Sequence, residues 1–296
     1  MIPSPFISAA ELADLLAGPA DARPVVFDAS YLLAKPDYDG DYRSGSALEQ
    51  WRGAHIPSSI YVDIQKQFSD PTGATHYTHL HVEALAAELA RLGVHQLTPV
   101  VVYDTTQTMF AARLWYLLDW IGMNVRVLNG GLAAWQAAGH PVESAIEAMP
   151  IPAASWTPTA TRNAWISKEE LVARSADDSR PLVCGLPAGS FTGSEVTRYA
   201  RRGHIPGSVN VSSRGLFAPE GTVLADAELR AAYVAEGVLA PDGNSLASEV
   251  LLYCGGGISA TANALTLAAV GVTAVRVFDG SLEEWAADSS LPLETS

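Results

Sequence analysis

The chain has 296 residues, 48% of them hydrophobic, enough for two ordinary domains with their own cores. Its net charge of −14 and pI near 4.8 argue against nucleic acid or a membrane surface as partner, and an anionic substrate would need locally arranged donors. The two cysteines, Cys184 and Cys254, make no disulfide framework and suit a reducing compartment, so a cytoplasmic location is expected.

The opening Met1-Ile2-Pro3-Ser4-Pro5-Phe6 has neither a basic region nor a long apolar core, so no signal peptide is expected, and no run is long enough to span a bilayer. From there the chain writes one unit twice, at an offset of 150 between Tyr103 and Tyr253. Each copy opens with a helix (Ser8 to Leu16; Ser167 to Arg174, where Ser167 and Glu170 have capping-box spacing) and an apolar strand (Val25 to Phe27; Leu182 to Cys184). A His-Ile-Pro turn (His55-Ile56-Pro57; His204-Ile205-Pro206) leads to a short strand (Ser59 to Val62; Ser208 to Val211) and a helix (Val82 to Leu92; Ala227 to Glu236). Then come a strand (Val100 to Tyr103; Val250 to Tyr253), a helix (Ala111 to Ile121; Ala260 to Val270), a strand (Val125 to Leu128; Val275 to Phe278) and a last helix (Leu132 to Ala138; Leu282 to Ala287).

Alternating strands and helices predict an α/β fold in which each copy is a mostly parallel sheet covered by helices on both faces. The N-terminal domain is expected over 1–145 and the C-terminal domain over 163–296. An Ala- and Pro-rich linker is expected between them over 146–162. In such folds ligands bind at the carboxyl ends of the strands.

Cys254 falls at such an end, in Tyr253-Cys254-Gly255-Gly256-Gly257-Ile258-Ser259-Ala260, at the mouth of a helix. The glycine turn can aim several N–H groups at one point, and the helix N-terminus adds partial positive charge; both stabilise a thiolate, the nucleophilic form. The plainer reading is a buried structural cysteine beside a tight turn. The two copies act as controls on each other. His55, His204, Trp135 and Trp285 recur, so they serve the shared fold. The copies part at the strand-to-helix turn, where Asp104-Thr105-Thr106-Gln107-Thr108 stands against the cysteine loop. An aspartate is no sulfur nucleophile, so the first copy is expected to be non-catalytic.

The Gly-His-Ile-Pro-Gly turn at 203–207, the Cys-x-x-Gly-Ile-Ser-Ala loop at 254–260 and the Asp-Gly-x-x-x-x-Trp segment at 279–285 resemble the tandem-domain rhodanese family of thiosulfate and 3-mercaptopyruvate sulfurtransferases, over nearly the whole chain. The resemblance implies two tandem rhodanese-like domains. It also implies a catalytic Cys254 that takes a sulfane sulfur from a small donor as a persulfide and passes it to cyanide or to a thiol such as thioredoxin or a low-molecular-weight thiol, with no bound cofactor and no metal. The substrate-binding loop would be Gly255, Gly256, Gly257, Ile258 and Ser259, whose N–H groups would hold the charged outer sulfur. The Ser259 hydroxyl either adds a donor or caps the helix.

Several positions depart from the family pattern. Gly255 and Gly256 stand where thiosulfate-preferring enzymes carry Arg-Lys, which leans the reading toward a mercaptopyruvate-like donor. Gly256 also replaces the serine of a proposed Ser-His-Asp relay, whose aspartate aligns with Gln65; His76 and His79 are the candidate histidines. Thr192 stands where a carboxylate-binding arginine is expected after Phe191, which leaves Arg198 as the clamp, with Arg201 and Arg202 behind it. Cys184 is either a buried strand cysteine or a resolving partner for Cys254. The rival reading is a non-catalytic or redox-regulated rhodanese-like binding module. A cysteine-loop phosphatase needs an arginine where Ala260 stands, and no metal-ligand or phosphate-loop spacing occurs.

Overall fold

The structure, a computed structural model, describes residues 4–144, 156–158, 162–175 and 177–295. The first copy runs β1 (Phe6–Ile7), α1 (Ala9–Ala17), β2 (Val25–Asp28), β3 (Tyr31–Leu33), β4 (Ser44–Ser46), α2 (Leu48–Gly53), β5 (Ile60–Tyr61), α3 (Ile64–Gln67), α4 (Val82–Arg91), β6 (Val100–Tyr103), α5 (Met109–Trp120), β7 (Val125–Leu128) and α6 (Gly131–Ala137). The second runs β8 (Trp165–Ile166), α7 (Lys168–Val172), β9 (Leu182–Cys184), α8 (Ala188–Phe191), β10 (Ser208–Asn210), α9 (Asp226–Ala235), β11 (Val250–Tyr253), α10 (Ser259–Ala269), β12 (Val275–Phe278) and α11 (Ser281–Ala287). Among the described residues no helix is long and apolar enough to cross a membrane.

The two principal sheets have the same order, β1-β7-β6-β2-β5 and β8-β12-β11-β9-β10, and every pairing in them is parallel. Strand residues alternate between two cores. In the first copy Val26, Val101 and Tyr103 pack with Leu12 of α1 and Leu132 and Trp135 of α6, while Phe27, Val100 and Val102 pack with Leu85 of α4 and Leu114 of α5. The second copy repeats this, with Leu171, Leu282 and Trp285 on one face and Leu229 and Leu265 on the other. The faces bearing α5 and α10 merge into one continuous cluster, which joins the two copies. Lying between two sheets, α5 is buried on all sides from Met109 to Leu118.

The recurring residues are structural, as expected. Each histidine of the His-Ile-Pro turns bridges main chain to main chain with a glutamate past the last helix, His55 with Glu143 and His204 with Glu294. Their rings stack on Trp51 at 4.1 Å and Phe191 at 3.7 Å. Trp135 Nε1 donates to Pro141 O at 2.7 Å and Trp285 Nε1 to Pro292 O at 2.8 Å.

Several elements were not anticipated. β1 and β8 are two residues long, too short to carry a period, and exist because β7 and β12 offer them an edge. The β3–β4 hairpin and helices α2, α3 and α8 likewise lay in stretches read as loop. Most of the expected linker over 146–162, and the boundary at 145, lie outside the described residues. At its described end Arg162 is anchored, pairing with Asp119 at 2.9 Å and lying 4.6 Å over the Tyr116 ring.

The strand ending at each loop is tied to its His-Ile-Pro turn by a phenol. Tyr103 Oη accepts from Ile56 N at 3.2 Å and meets Ser59 Oγ at 3.0 Å; Tyr253 does the same with Ile205 N at 3.0 Å and Ser208 Oγ at 2.7 Å. Tyr103→Phe would leave the buried Ile56 N–H without an acceptor. A loss of about 1–3 kcal/mol is expected, measured as a lower urea midpoint at unchanged slope.

Candidate active site

β11 delivers Cys254 to the carboxyl edge of its sheet, 1% exposed, and the chain turns through three glycines into α10. Two neighbours hold this loop. From α11, Ser281 Oγ accepts from Cys254 N at 3.0 Å and Gly257 N at 3.2 Å, while the amides of Leu282 and Glu283 donate to the carbonyls of Cys254 and Gly255. From the other domain, Arg113 of α5 donates through Nη1 to Gly257 O at 3.2 Å and pairs with Asp279 Oδ1 at 2.7 Å. Its Nη2 donates to Tyr77 O, and its guanidinium lies 5.2 Å over the Trp165 ring. The Arg113 side chain is fully buried.

That clamp explains Gly257. Its φ is +74°, and a Cβ there would fall 2.7 Å from Asp279 O and 3.2 Å from Arg113 Nη1. Gly255 is required for another reason: a Cβ on it would sit 1.6 Å from the Tyr199 hydroxyl. Among the described residues, the amides of Gly255, Gly256 and Ile258 donate to no group of the chain.

The sister loop shows what such amides hold. Asp104, at the position equivalent to Cys254, is 4% exposed; its Oδ1 accepts from Thr106 N and Thr108 N, and its Oδ2 from Phe110 N and Ala111 N, all at 2.8–2.9 Å. Burial pushes this carboxyl up from its ordinary range and the amides pull the other way. Each oxygen receives two N–H donors, the arrangement of an ionised carboxylate.

Cys254, Gly255, Gly256, Ile258 and Ser259 line one cavity of about 470 Å³, and Arg198 and Tyr199 line it too. Arg198 Nη2 donates to Ala34 O of the segment between β3 and β4, while its buried Nε has no hydrogen-bond partner among the described residues. Lys35 and Arg214, which sequence reasoning did not single out, add positive charge to the lining against Glu195, the single acid there among the described residues.

Other expectations are corrected. The Ser259 hydroxyl does not cap α10: Ile258 is the capping residue, without a side-chain bond, and Ser259 is the first helical residue. Arg201 is not behind Arg198 in the site; it binds the carbonyls of Trp285, Ala286, Asp288 and Leu291. Arg202 pairs with Asp39 across the domains at 2.9 Å. The relay candidates do not meet. Gln65 accepts from the Tyr31 hydroxyl; His76 is tied through Nδ1 to Glu283 and stacks on Tyr42 at 3.8 Å. His79 donates its backbone N–H to Asp279 and stacks on Trp165 at 4.3 Å, and burial pulls its pKa down.

Cys184 takes the plainer of its two readings. It pairs in register with Tyr253 and packs with it in the cluster on one face of the sheet, whereas Cys254 packs in the cluster on the other. A disulfide would have to pass through the sheet. Burial also pushes the Cys184 thiol up to about 12, which keeps it protonated.

Arg113→Met should cost about 3–5 kcal/mol in chemical denaturation, because it leaves the Asp279 carboxylate without its buried partner. Arg113→Lys should recover only part, since one ammonium cannot span Gly257, Asp279 and Tyr77 together.

A family model described as a rhodanese-like domain matches residues 8–138 and 194–288. A putative thiosulfate sulfurtransferase, SseB, of Mycobacterium tuberculosis is 31% identical over 305 residues, covering 97% of this chain and 96% of that protein. The 3-mercaptopyruvate sulfurtransferase of Escherichia coli is 30% identical over 252 residues, covering 84% and 86%. The crystal structure of SseA from Escherichia coli, a 3-mercaptopyruvate sulfurtransferase, superimposes with a TM-score of 0.76 at 28% identity, covering 94% of this chain and 99% of that one.

Proposed function

The chain belongs to the rhodanese family and is a sulfurtransferase, and we propose that its reaction runs through a persulfide on Cys254. The observation that carries this reading is the Asp104 carboxylate. Its oxygens lie two bonds beyond Cβ, as the outer sulfur of a cysteine persulfide does, and the sister loop surrounds them with amides. In the Cys254 loop the equivalent amides of Gly256 and Ile258 are open, ready for the negative outer sulfur. The N-terminal copy, residues 1–145, is then the non-catalytic partner that supplies Arg113, and the C-terminal copy, residues 163–296, carries the chemistry.

The donor in this reading is a small carboxylate-bearing thiol of the 3-mercaptopyruvate kind. The unpartnered Nε of Arg198 offers a fixed donor to a carboxylate, and Lys35 and Arg214 draw an anion into the cavity of a chain that is acidic overall. Thiosulfate is less well served. Gly255 and Gly256 offer its sulfonate no cation, and Glu283 Oε2 stands 3.1 Å from where a Gly256 side chain would begin. The acceptor is cyanide in an assay and, in a cytoplasmic setting, thioredoxin or a low-molecular-weight thiol.

The test is intact mass after incubation with 3-mercaptopyruvate or thiosulfate. Wild type should gain one sulfur that cyanide removes, and Cys254→Ser should gain none while unfolding at the same denaturant concentration. A Cys254→Ser variant that still gains sulfur would sink the assignment. Arg198→Ala should raise KM for 3-mercaptopyruvate about tenfold or more, the loss of one charge-assisted hydrogen bond of roughly 1.5–3 kcal/mol. An unchanged KM removes Arg198 from the donor site.

A further inference from the structure

Transfer from a mercaptopyruvate-type donor has a proton problem that the residues of the family relay do not solve here. When the carbon–sulfur bond breaks, the electron pair stays on carbon as an enolate, which must be protonated to leave as the keto acid. Gly256 has no hydroxyl, Gln65 is engaged by Tyr31, and His76 is held by Glu283. The Ser281 hydroxyl, 4.0 Å from Cys254 Sγ, is not in the cavity lining and donates to Phe278 O; among the lining tyrosines, one hydroxyl meets the cysteine loop at the residue after Cys254. The Tyr199 oxygen is 1.6 Å from where a Gly255 Cβ would be, directly over the residue that follows Cys254. The Tyr42 hydroxyl approaches the next residue instead, 3.9 Å from the Cβ position of Gly256, and Tyr77 presents a ring carbon there at 3.6 Å.

Resting on the persulfide reading above, we propose that Tyr199 is a catalytic residue that carries the donor's own thiol proton to its departing carbon. The steps balance without a further reactant. The Cys254 thiolate attacks the donor sulfur; the sulfur–sulfur bond forms and the carbon–sulfur bond breaks, its electron pair going to the carbon. The Tyr199 O–H protonates that enolate, and the resulting phenolate takes the proton from the new persulfide S–H. The products are the keto acid, a persulfide anion in the amide cradle and a phenol restored for the next turnover. Burial first, and then the negative charge of Cys254, push the Tyr199 phenol well above its ordinary pKa. It is therefore protonated when the thiolate attacks, as a proton donor must be.

The same chemistry makes Tyr199 a discriminator between donors. Thiosulfate releases sulfite and an inorganic polysulfide releases a shorter polysulfide, and neither leaving group needs a proton. No hydrogen bond of the Tyr199 hydroxyl holds the fold among the described residues, so Tyr199→Phe should fold normally.

The experiment is single-turnover persulfide formation on wild type and Tyr199→Phe, read by intact mass, with 3-mercaptopyruvate, thiosulfate and inorganic polysulfide, in light and heavy water. Tyr199→Phe should slow the 3-mercaptopyruvate step about 10²-fold, the lower range for general acid catalysis, and leave the other donors unchanged. Wild type should show a solvent isotope effect with 3-mercaptopyruvate that the variant loses. Equal slowing with every donor, no slowing with 3-mercaptopyruvate, or no isotope effect in wild type overturns the role of Tyr199 and leaves the persulfide intact. Wild type that gains sulfur from none of the three donors overturns the persulfide reading and this proposal with it.

Discussion

The buried guanidinium of Arg113 is the constraint on which the rest of the site depends. It starts in a helix of one domain and ends among groups of the other, with Gly257 O, Asp279 and the Trp165 ring around it. A charge so far from water is tolerable only while its partners stay in place. The domain interface, the turn of the cysteine loop and the carboxylate of Asp279 are therefore one cooperative unit. Gly257 is a consequence of the same clamp, since the backbone must come close enough to offer its carbonyl and has no room for a side chain.

On that scaffold the two copies have diverged at matched positions. One loop closes on its own carboxylate and has satisfied its amides permanently. The other presents a thiol and keeps amides in reserve. The residue that follows the Asn-Gly or Asp-Gly pair has diverged too. In the first copy it is Gly131, with φ +55°, where a Cβ would meet Asp104 O at 2.2 Å. In the second it is Ser281, which accepts the left-handed conformation at φ +49° and uses its hydroxyl to receive two loop amides. A strained serine at this point marks a site where backbone comfort yields to loop geometry.

The electrostatics are local and opposed to the whole. An acidic chain places Arg198, Lys35 and Arg214 around the one cavity that contains Cys254, while Glu283 guards the side of Gly256. In the reaction proposed above, an anionic donor would lie with its carboxylate toward Arg198 and its sulfur toward Cys254. The proposed reaction likewise separates the task of holding charge, given to arginine and amides, from the task of moving a proton.

Much was legible in the sequence, for identifiable reasons. The central strands declare themselves because each is buried on both faces and so reads as a short apolar run, as Val100 to Tyr103 and Val250 to Tyr253 do. Cys254 stood out because a duplication compares a chain with itself; the change from Gly131 to Ser281 passed unnoticed, because its meaning lies in the loop amides that Ser281 receives. Two-residue strands such as β1 and β8 had no signal, since their identity belongs to the edge they join. Arg113, Glu283 and Tyr199 were silent as well. Composition and period report how a residue relates to its neighbours in sequence, whereas a guanidinium 144 residues from the carbonyl it holds acquires its role only when two domains dock. The sequence determined the repeat, the sheets and the cysteine loop in which the copies differ; the tertiary structure alone decided which charges and hydroxyls surround that cysteine, because those are set by proximity through space.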